Sequence, residues 1–347
     1  MTRKEIVLNL VRERGQARSS EVYDGLVKNN EKVSLVTIKR LLSQLEKAGL
    51  LAVAGKGPAT VYTLSERGQL TSEIDVAAYC AIEPDKRSGA RSYNFKLFDA
   101  LNFNPFSEAE QERLSRATAF YQNRIKGVSE PIHQKELERF IIELAWKSSR
   151  IEGNTYSLLD TEALVLRGAE APGHSRAEAQ MILNHKRAFA FIYQHREKFI
   201  TLTRANIEEV HKLLVADLGV RHNLRQKPVG VVGSLYRPLD NEHQIREALE
   251  KLASAVARQA DSYAKALATL LGISYLQPFE DGNKRTGRLL ANAVLLAGGL
   301  APLSYRSVEE KSYREALIVF YELNSLMPFK KIFVEQYDFA ARNYLIG

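Results

Sequence analysis

Cysteine is almost missing from this chain of 347 residues, which has Cys80 and no other. A lone thiol forms no internal disulfide and no thiolate metal cluster, and it is more often a packed small hydrophobe than a nucleophile. Redox and zinc chemistry are therefore set aside. Long apolar runs are missing too. None approaches the roughly 18–20 residues that cross a bilayer. The opening MTRKEIVLNLVRERG alternates charge with apolar groups instead of building a signal peptide. The expectation is a cytoplasmic chain with no membrane partner. Internal repeats and low-complexity tracts are likewise absent.

What is present is a 45% apolar composition and enough length for two or three domains. Charge is unevenly spread. Residues 1–68 carry twelve Lys/Arg against seven Asp/Glu, a net of +5 out of the chain's +8. A basic field on a small module suggests a polyanionic partner, with a solvated basic face as the alternative.

Three helices are expected before residue 50. Thr2 and Glu5 have capping-box spacing, and Ile6, Leu8, Leu10 and Val11 supply an apolar face that Gly15 ends. A second helix follows Ser19 or Ser20 through Val22, Leu26 and Val27. The third starts near Ser34, sets Leu35, Ile38, Leu41, Leu42 and Leu45 at helical spacing, and ends at Gly49. The run LLAVAGKGPATVYTLS then reads as a hairpin with a basic tip. Three helices and a hairpin in this order resemble a winged helix-turn-helix domain over residues 1–68. By that resemblance Thr37, Lys39, Arg40, Ser43 and Gln44 would face the major groove of double-stranded DNA, and Lys56 would sit on the wing. Such a domain commonly works as a dimer, so a homodimer is expected. It also serves for dimerisation or protein contact without DNA.

Residues 69–95 read as a turn-rich connector, and residues 96–347 are dominated by helical periodicity. The fold class is mostly α, with one further hairpin expected in KPVGVVGSLYRPLD, residues 227–240. Near the C-terminal third, LQPFEDGNKRTGRLL links two apolar helical runs. Gly282 permits a turn whose N–H groups face one way, and the next helix offers its N-terminus to an anion. Arg285 and Arg288 share a helix face, where two guanidinium forks suit successive phosphates. Asp281 is placed to ligate Mg²⁺ together with those phosphates. Solvated charge at a helix start is the plainer alternative.

The loop Gln277-Pro278-Phe279-Glu280-Asp281-Gly282-Asn283-Lys284-Arg285-Thr286-Gly287-Arg288 resembles the Fic signature His-Pro-Phe-x-Asp/Glu-Gly-Asn-Gly/Lys-Arg-x-x-Arg. Every defined position agrees except the first. The resemblance implies a helical bundle that transfers AMP from ATP, with Mg²⁺, to a hydroxyl of a target protein. It implies nucleotide binding through Gly282, Asn283, Lys284, Arg285 and Arg288, with the metal at Asp281. Residues 148–154 similarly resemble the family's inhibitory motif through Ser148, Glu152 and Gly153, with Glu152 expected to pair with Arg288 and obstruct productive ATP binding. Gly230, Val231, Val232, Gly233, Ser234, Leu235 and Tyr236 resemble its flap, a hairpin edge for aligning a protein target. The same apolar pairs also suit core strands.

Gln277 stands where the family has a basic histidine. An imidazole titrates near neutral pH and accepts the acceptor hydroxyl's proton, whereas an amide does not. The seven histidines, at 133, 174, 185, 195, 211, 222 and 243, all lie away from the loop in sequence. The leading expectation is a DNA-binding, nucleotide-binding regulator with impaired or absent AMP transfer. The alternative is an adenylyltransferase autoinhibited by Glu152, with Gln277 engineered or functionally replaced, or an enzyme that removes AMP using Glu152. A purely structural module would leave Asp281, Asn283, Arg285 and Arg288 without a role.

Overall fold

The computed structural model describes residues 2–346, so Met1 and Gly347, the outermost residues of the two expected domains, lie outside the description. The chain is mostly helical, with a single two-stranded antiparallel sheet among the described residues.

Helices Arg3–Arg14, Ser19–Lys28 and Leu35–Lys47 come first, followed by strand Leu51–Ala54 paired with Val61–Leu64. Thr2 caps the first helix by accepting from the Glu5 N–H, while the Glu5 carboxylate accepts from the Thr2 N–H at 2.9 Å. That reciprocal pair satisfies donors a helix start leaves open. Ser34 caps the third helix through the Thr37 N–H. Ala17 pairs with Tyr62 and so ties the hairpin to the helices. Val7, Val11, Val22, Leu26, Ile38 and Leu42 are fully buried in a core of their own. Truncating Leu26 or Leu42 to alanine is expected to cost about 2–5 kcal/mol.

Two residues that spacing assigns to this core stand outside it, Leu35 at 39% and Val27 at 47% exposure. Leu35 opens its helix and Val27 lies in the last turn of its own. Helical periodicity carries no information about which end turns overhang the packed centre.

The expected boundary at residue 68 falls inside a helix, Glu66–Leu70. A Cβ on Gly68 would lie 2.0 Å from the Leu50 carbonyl oxygen, so the helix packs hard on the first module. Leu70 belongs to the large core, and its carbonyl accepts from the Leu326 N–H. The connector continues through helix Val76–Ala81 and is tied down by a Ser325 hydroxyl bond to the Ser72 carbonyl at 2.6 Å.

In the large domain, helices Ser262–Leu276 and Asn283–Ala297 are buried along almost their whole length and pack against each other. Gly287 permits that approach, because a Cβ there would already sit 3.0 Å from the Leu270 carbonyl oxygen. Around the pair stand Glu130–Ile151, Arg176–Gln194, Arg204–Val215, Glu242–Ala257, Glu310–Leu323 and Met327–Asn343.

The hairpin expected over residues 227–240 does not form, since no strand occurs there. Gly233 has φ +77°, and the ladder-like contact of the segment is one parallel bridge between Arg237 and Ser92. The carbonyls of Lys227 and Leu239 accept from the guanidinium of Arg225, and that of Gly233 from Arg87. Guanidinium donors take the place of a facing strand.

Candidate functional site

Helix Ser262–Leu276 ends at Gln277, which has φ +50°, a left-handed conformation uncommon for a residue with a Cβ. Two bonds hold it there: Gln277 N–H donates to Ile273 O at 3.0 Å, and Gln277 O accepts from Arg225 Nε at 2.6 Å. The Gln277 side-chain amide turns back to donate to Ser274 O at 2.6 Å. Asn283 closes the loop by accepting from the Phe279 N–H at 2.9 Å and donating to Phe279 O at 2.8 Å. Gly282, at φ +76°, then launches the next helix. A helix start leaves its first backbone N–H groups without intrahelical partners and suited to an anion.

The loop faces a cavity of about 180 Å³. Its lining brings together Gln277, Asp281, Gly282, Asn283, Lys284 and Arg285 from the loop, Glu152 from the end of helix Glu130–Ile151, and Gly230, Val231 and Val232 from the flap segment. The remaining flap residues go elsewhere. Tyr236 is buried, stacks on Tyr275 at 4.7 Å between ring centroids, and donates to Tyr275 O. Ser234 bonds Glu322, and Leu235 lines a separate groove.

Arg288 is completely buried and nearly saturated. Its Nη1 meets Glu152 Oε1 at 2.8 Å, Nε donates to Ser148 Oγ at 2.7 Å, and Nη2 donates to Ser148 O at 2.7 Å. The other Glu152 oxygen accepts from Lys284 Nζ at 2.9 Å. Burial alone would raise the Glu152 pKa, but Arg288 and Lys284 outweigh it and bring the carboxyl down to about 2. Burial likewise opposes the Arg288 charge, and Tyr313 and Glu152 together raise its pKa. Because burial pushes the Tyr313 hydroxyl up, it stays neutral near pH 7, leaving Glu152 as the anion that matters. Gly153 follows with φ +100° and stops the helix.

Arg285 differs. It is buried and its Nη2 bonds Asp281 Oδ2 at 3.0 Å, but its Nη1 has no partner. An unpaired buried donor costs about 1–3 kcal/mol, so this guanidinium is suited to an incoming anion. Burial lowers its pKa, with Asp281 and Glu152 acting the other way. The Asp281 side chain is 64% exposed. Among the described residues no group of three His, Cys, Asp or Glu side chains comes together to hold a metal. Asp281 is the one carboxylate of the loop that both lines the cavity and reaches Arg285.

No histidine lines the cavity. His211 is buried against the loop, its ring stacked on Phe279 at 3.6 Å and its Nδ1 3.1 Å from Thr286 Oγ1. Burial brings it down to about 3, so it is neutral near pH 7. His185 is buried with neither ring nitrogen bonded, and burial followed by Arg288 and Arg285 lowers its pKa. Sequence reading missed Arg225, His211 and Tyr313. The partners of Arg225 are all main-chain carbonyls, which leave no trace in side-chain spacing.

In the first module Thr37, Lys39, Arg40, Gln44 and Lys56 are exposed and Ser43 is half-buried. They stand on a unit with its own core, apart from the cavity lining.

Comparison with known proteins matches the Fic/DOC family over residues 201–295. That segment is a Fic domain. A protein adenylyltransferase Fic of Nematostella vectensis is 29% identical over 221 residues, covering 60% of this chain and 50% of the relative. Protein adenylyltransferase fic-1 of Caenorhabditis elegans is 22% identical over 325 residues, covering 89% of this chain and 61% of the relative. The chain thus spans half to about three fifths of these curated relatives. A Fic domain containing signaling protein from Bacteroides thetaiotaomicron superposes with TM-score 0.57 at 19% identity, over 66% of this chain and 94% of that one. Fic-1 (aa134–508) from C. elegans gives 0.57 at 19%, over 72% and 80%. The structural likenesses establish the fold, and the Fic loop ends inside the matched segment. The Glu152 motif lies before it. Among the described residues no helix is long and apolar enough to cross a membrane.

Proposed function

We propose that the chain is a nucleotide-responsive, DNA-binding regulator whose Fic domain binds ATP with Mg²⁺ at the signature loop and transfers AMP poorly or not at all. The observation that carries this reading is a phosphate-type site without a basic histidine on its lining. Arg285 keeps a buried donor without a partner, while Gln277 turns its amide onto Ser274 O.

Transfer forms a bond from the acceptor hydroxyl oxygen to the α-phosphorus, breaks the α–β bridging bond, and releases pyrophosphate. The hydroxyl proton must go to a base, and a neutral amide has no useful basicity near pH 7. Mg²⁺ held by Asp281 and the phosphates would offset their charge. Lys284 and Arg285 would bind phosphate oxygens, the Gly282–Asn283 N–H groups would hold the α-phosphate, and the Asn283 side chain keeps the loop shaped for it. Glu152 on Arg288 opposes the γ-phosphate. In the first module, the exposed Lys39, Arg40 and Gln44 with the basic hairpin tip support docking on double-stranded DNA; the proposal adds that the chain docks as a homodimer in the cytoplasm and that nucleotide occupancy alters the docking.

The second reading, a protein adenylyltransferase held off by Glu152, is supported by the names of the relatives. Removal of AMP using Glu152 as base is less favoured, because two cations hold that carboxyl at about 2. Incubation with α-labelled ATP and Mg²⁺ separates the readings. Label retained on protein by the unmodified chain or by Glu152→Gly alone contradicts the regulator; label that appears only when Gln277→His is added to Glu152→Gly supports it. A gel shift on duplex DNA with and without ATP tests the coupling.

A further inference from the structure

Arg87 of the connector and Glu322 near the end of helix Glu310–Leu323 form a buried ion pair at 3.4 Å, with side chains 6% and 2% exposed. Both lie outside the segment matched to the Fic family. Their remaining polar atoms face two places. Toward the connector, Arg87 Nε donates to Ile82 O at 2.9 Å and Nη2 to Cys80 O at 3.3 Å. Tyr79 OH donates to Glu322 Oε2 at 2.6 Å, and the Glu322 carbonyl accepts from the Ala90 N–H at 2.6 Å. Toward the flap, Arg87 Nη1 donates to Gly233 O at 2.9 Å and Ser234 Oγ donates to Glu322 Oε1 at 2.6 Å.

The seam is closely fitted. A Cβ on Gly89 would stand 2.5 Å from both Glu322 Cβ and Tyr79 Oη, so the connector approaches this far because residue 89 has no side chain. Two positions further on, the Arg91 carbonyl accepts from the Arg237 N–H at 3.0 Å, continuing the contact between connector and flap.

A buried ion pair stabilises a fold no better than a well-packed apolar pair of the same size. What its fork geometry supplies is direction. The Gly233–Ser234 turn has no facing strand, its other bonds run from Ser234 N–H to Val231 O and from Tyr236 N–H to Ser234 Oγ within the segment, and adjacent Val232 is 97% exposed. Without the pair, the rim of the nucleotide cavity at Gly230–Val232 would be fixed only from either side of the turn, by Arg225 at Lys227 and by Tyr236 and Arg237 beyond Ser234.

We propose that Arg87 and Glu322 are positioning residues for the flap, through which the connector sets where the Gly230–Val232 rim stands over the cleft. The connector is thereby a working part of the cleft. Its own anchor on the first module is Arg12, whose Nη1 donates to the Glu73 carbonyl at 3.2 Å, so a displacement of that module reaches the flap by this route.

The test is amide hydrogen exchange on the full chain, reading residues 229–238 against residues 283–297 of the buried helix as internal reference. It needs neither nucleotide nor target, so it stands or falls separately from the proposed function. Arg87→Ala is expected to speed flap exchange about tenfold, the scale of one or two lost buried hydrogen bonds, with the reference helix unchanged. Arg87→Lys, which keeps the charge beside Glu322, is expected to restore part of the protection. If Arg87→Ala also loosens the reference helix, Ser234→Ala decides, read at residues 230–233 so that the Tyr236 N–H it also frees is left out, because it removes the flap-side bond to Glu322 and leaves the connector's bonds in place. Faster exchange confined to the flap then supports the proposal. Flap exchange equal to the parent's in Arg87→Ala, or in Ser234→Ala where that variant decides, overturns it, as does a lysine variant indistinguishable from alanine.

Discussion

The cations of the first module and those of the Fic loop sit in opposite states. Lys39, Arg40 and Lys56 are exposed and form no ion pair among the described residues, whereas Arg285 and Arg288 are buried and face Asp281 and Glu152. Water holds a surface cation until a polyanion displaces its counterions, so binding there adds to the fold and responds to salt. A buried cation needs a partner inside the chain. Phosphate entering the loop must therefore compete with a carboxylate already present. On the proposed function, the first site is open by default and the second is gated by default.

The largest effect expected on the gated side is catalytic. Adding Gln277→His to Glu152→Gly should raise labelled AMP transfer about 10²- to 10⁴-fold over Glu152→Gly alone, the usual scale of general-base help. A single-turnover assay reads it, and an increase under threefold or so would place the missing capacity elsewhere in the loop.

The two arginines sharpen the contrast within the cleft. Arg288→Ala leaves Glu152 to Lys284 alone and the Ser148 carbonyl without its donor in a buried site, and should cost about 3 kcal/mol in chemical denaturation. Arg285→Ala should cost roughly 1 kcal/mol or less, because its carboxylate partner is mostly exposed and its Nη1 is already unpaired. Equal losses would erase the distinction between a locked and a waiting guanidinium.

Acidity tests the lock without mutation. The folded pKa of Glu152 lies at about 2, below its ordinary value of 4.5. Its stabilising contribution is therefore complete above the ordinary value and is lost as pH falls from there toward about 2. Denaturant midpoints across that window should drop less for Glu152→Gln than for the parent.

On the open side the effect is smaller and follows salt. Lys39→Ala with Arg40→Ala should weaken duplex binding by about tenfold and lower the slope of log K against log salt by about 2, one unit per phosphate contact. An unchanged slope would remove both residues from the interface.

Local features of this chain were readable from sequence and distant ones were not. Residues 277–288 form one turn and one helix start, so Gly282, Arg285 and Asp281 came together as their spacing required. Glu152 and Arg288 are 136 residues apart, and a motif linked them where periodicity could not. Nothing local marked Arg225 or the pairing of Arg87 with Glu322, because their partners are carbonyls or lie 235 positions away. The flap failed as a hairpin for the same reason: alternating apolar residues suit a strand, but the segment's carbonyls are taken by guanidinium donors from distant chain. Helices Leu158–Arg167, Glu310–Leu323 and Met327–Asn343 went unread, although the first has a capping box at Ser157 and Asp160.

The gate itself is tested most directly by calorimetric titration of ATP and Mg²⁺ into the parent and into Glu152→Gly. Freeing one guanidinium for a phosphate is worth about 1.5–3 kcal/mol, so the variant should bind about 10- to 100-fold more tightly. Equal affinity in the two proteins, or no binding in either, would contradict a nucleotide site closed by Glu152.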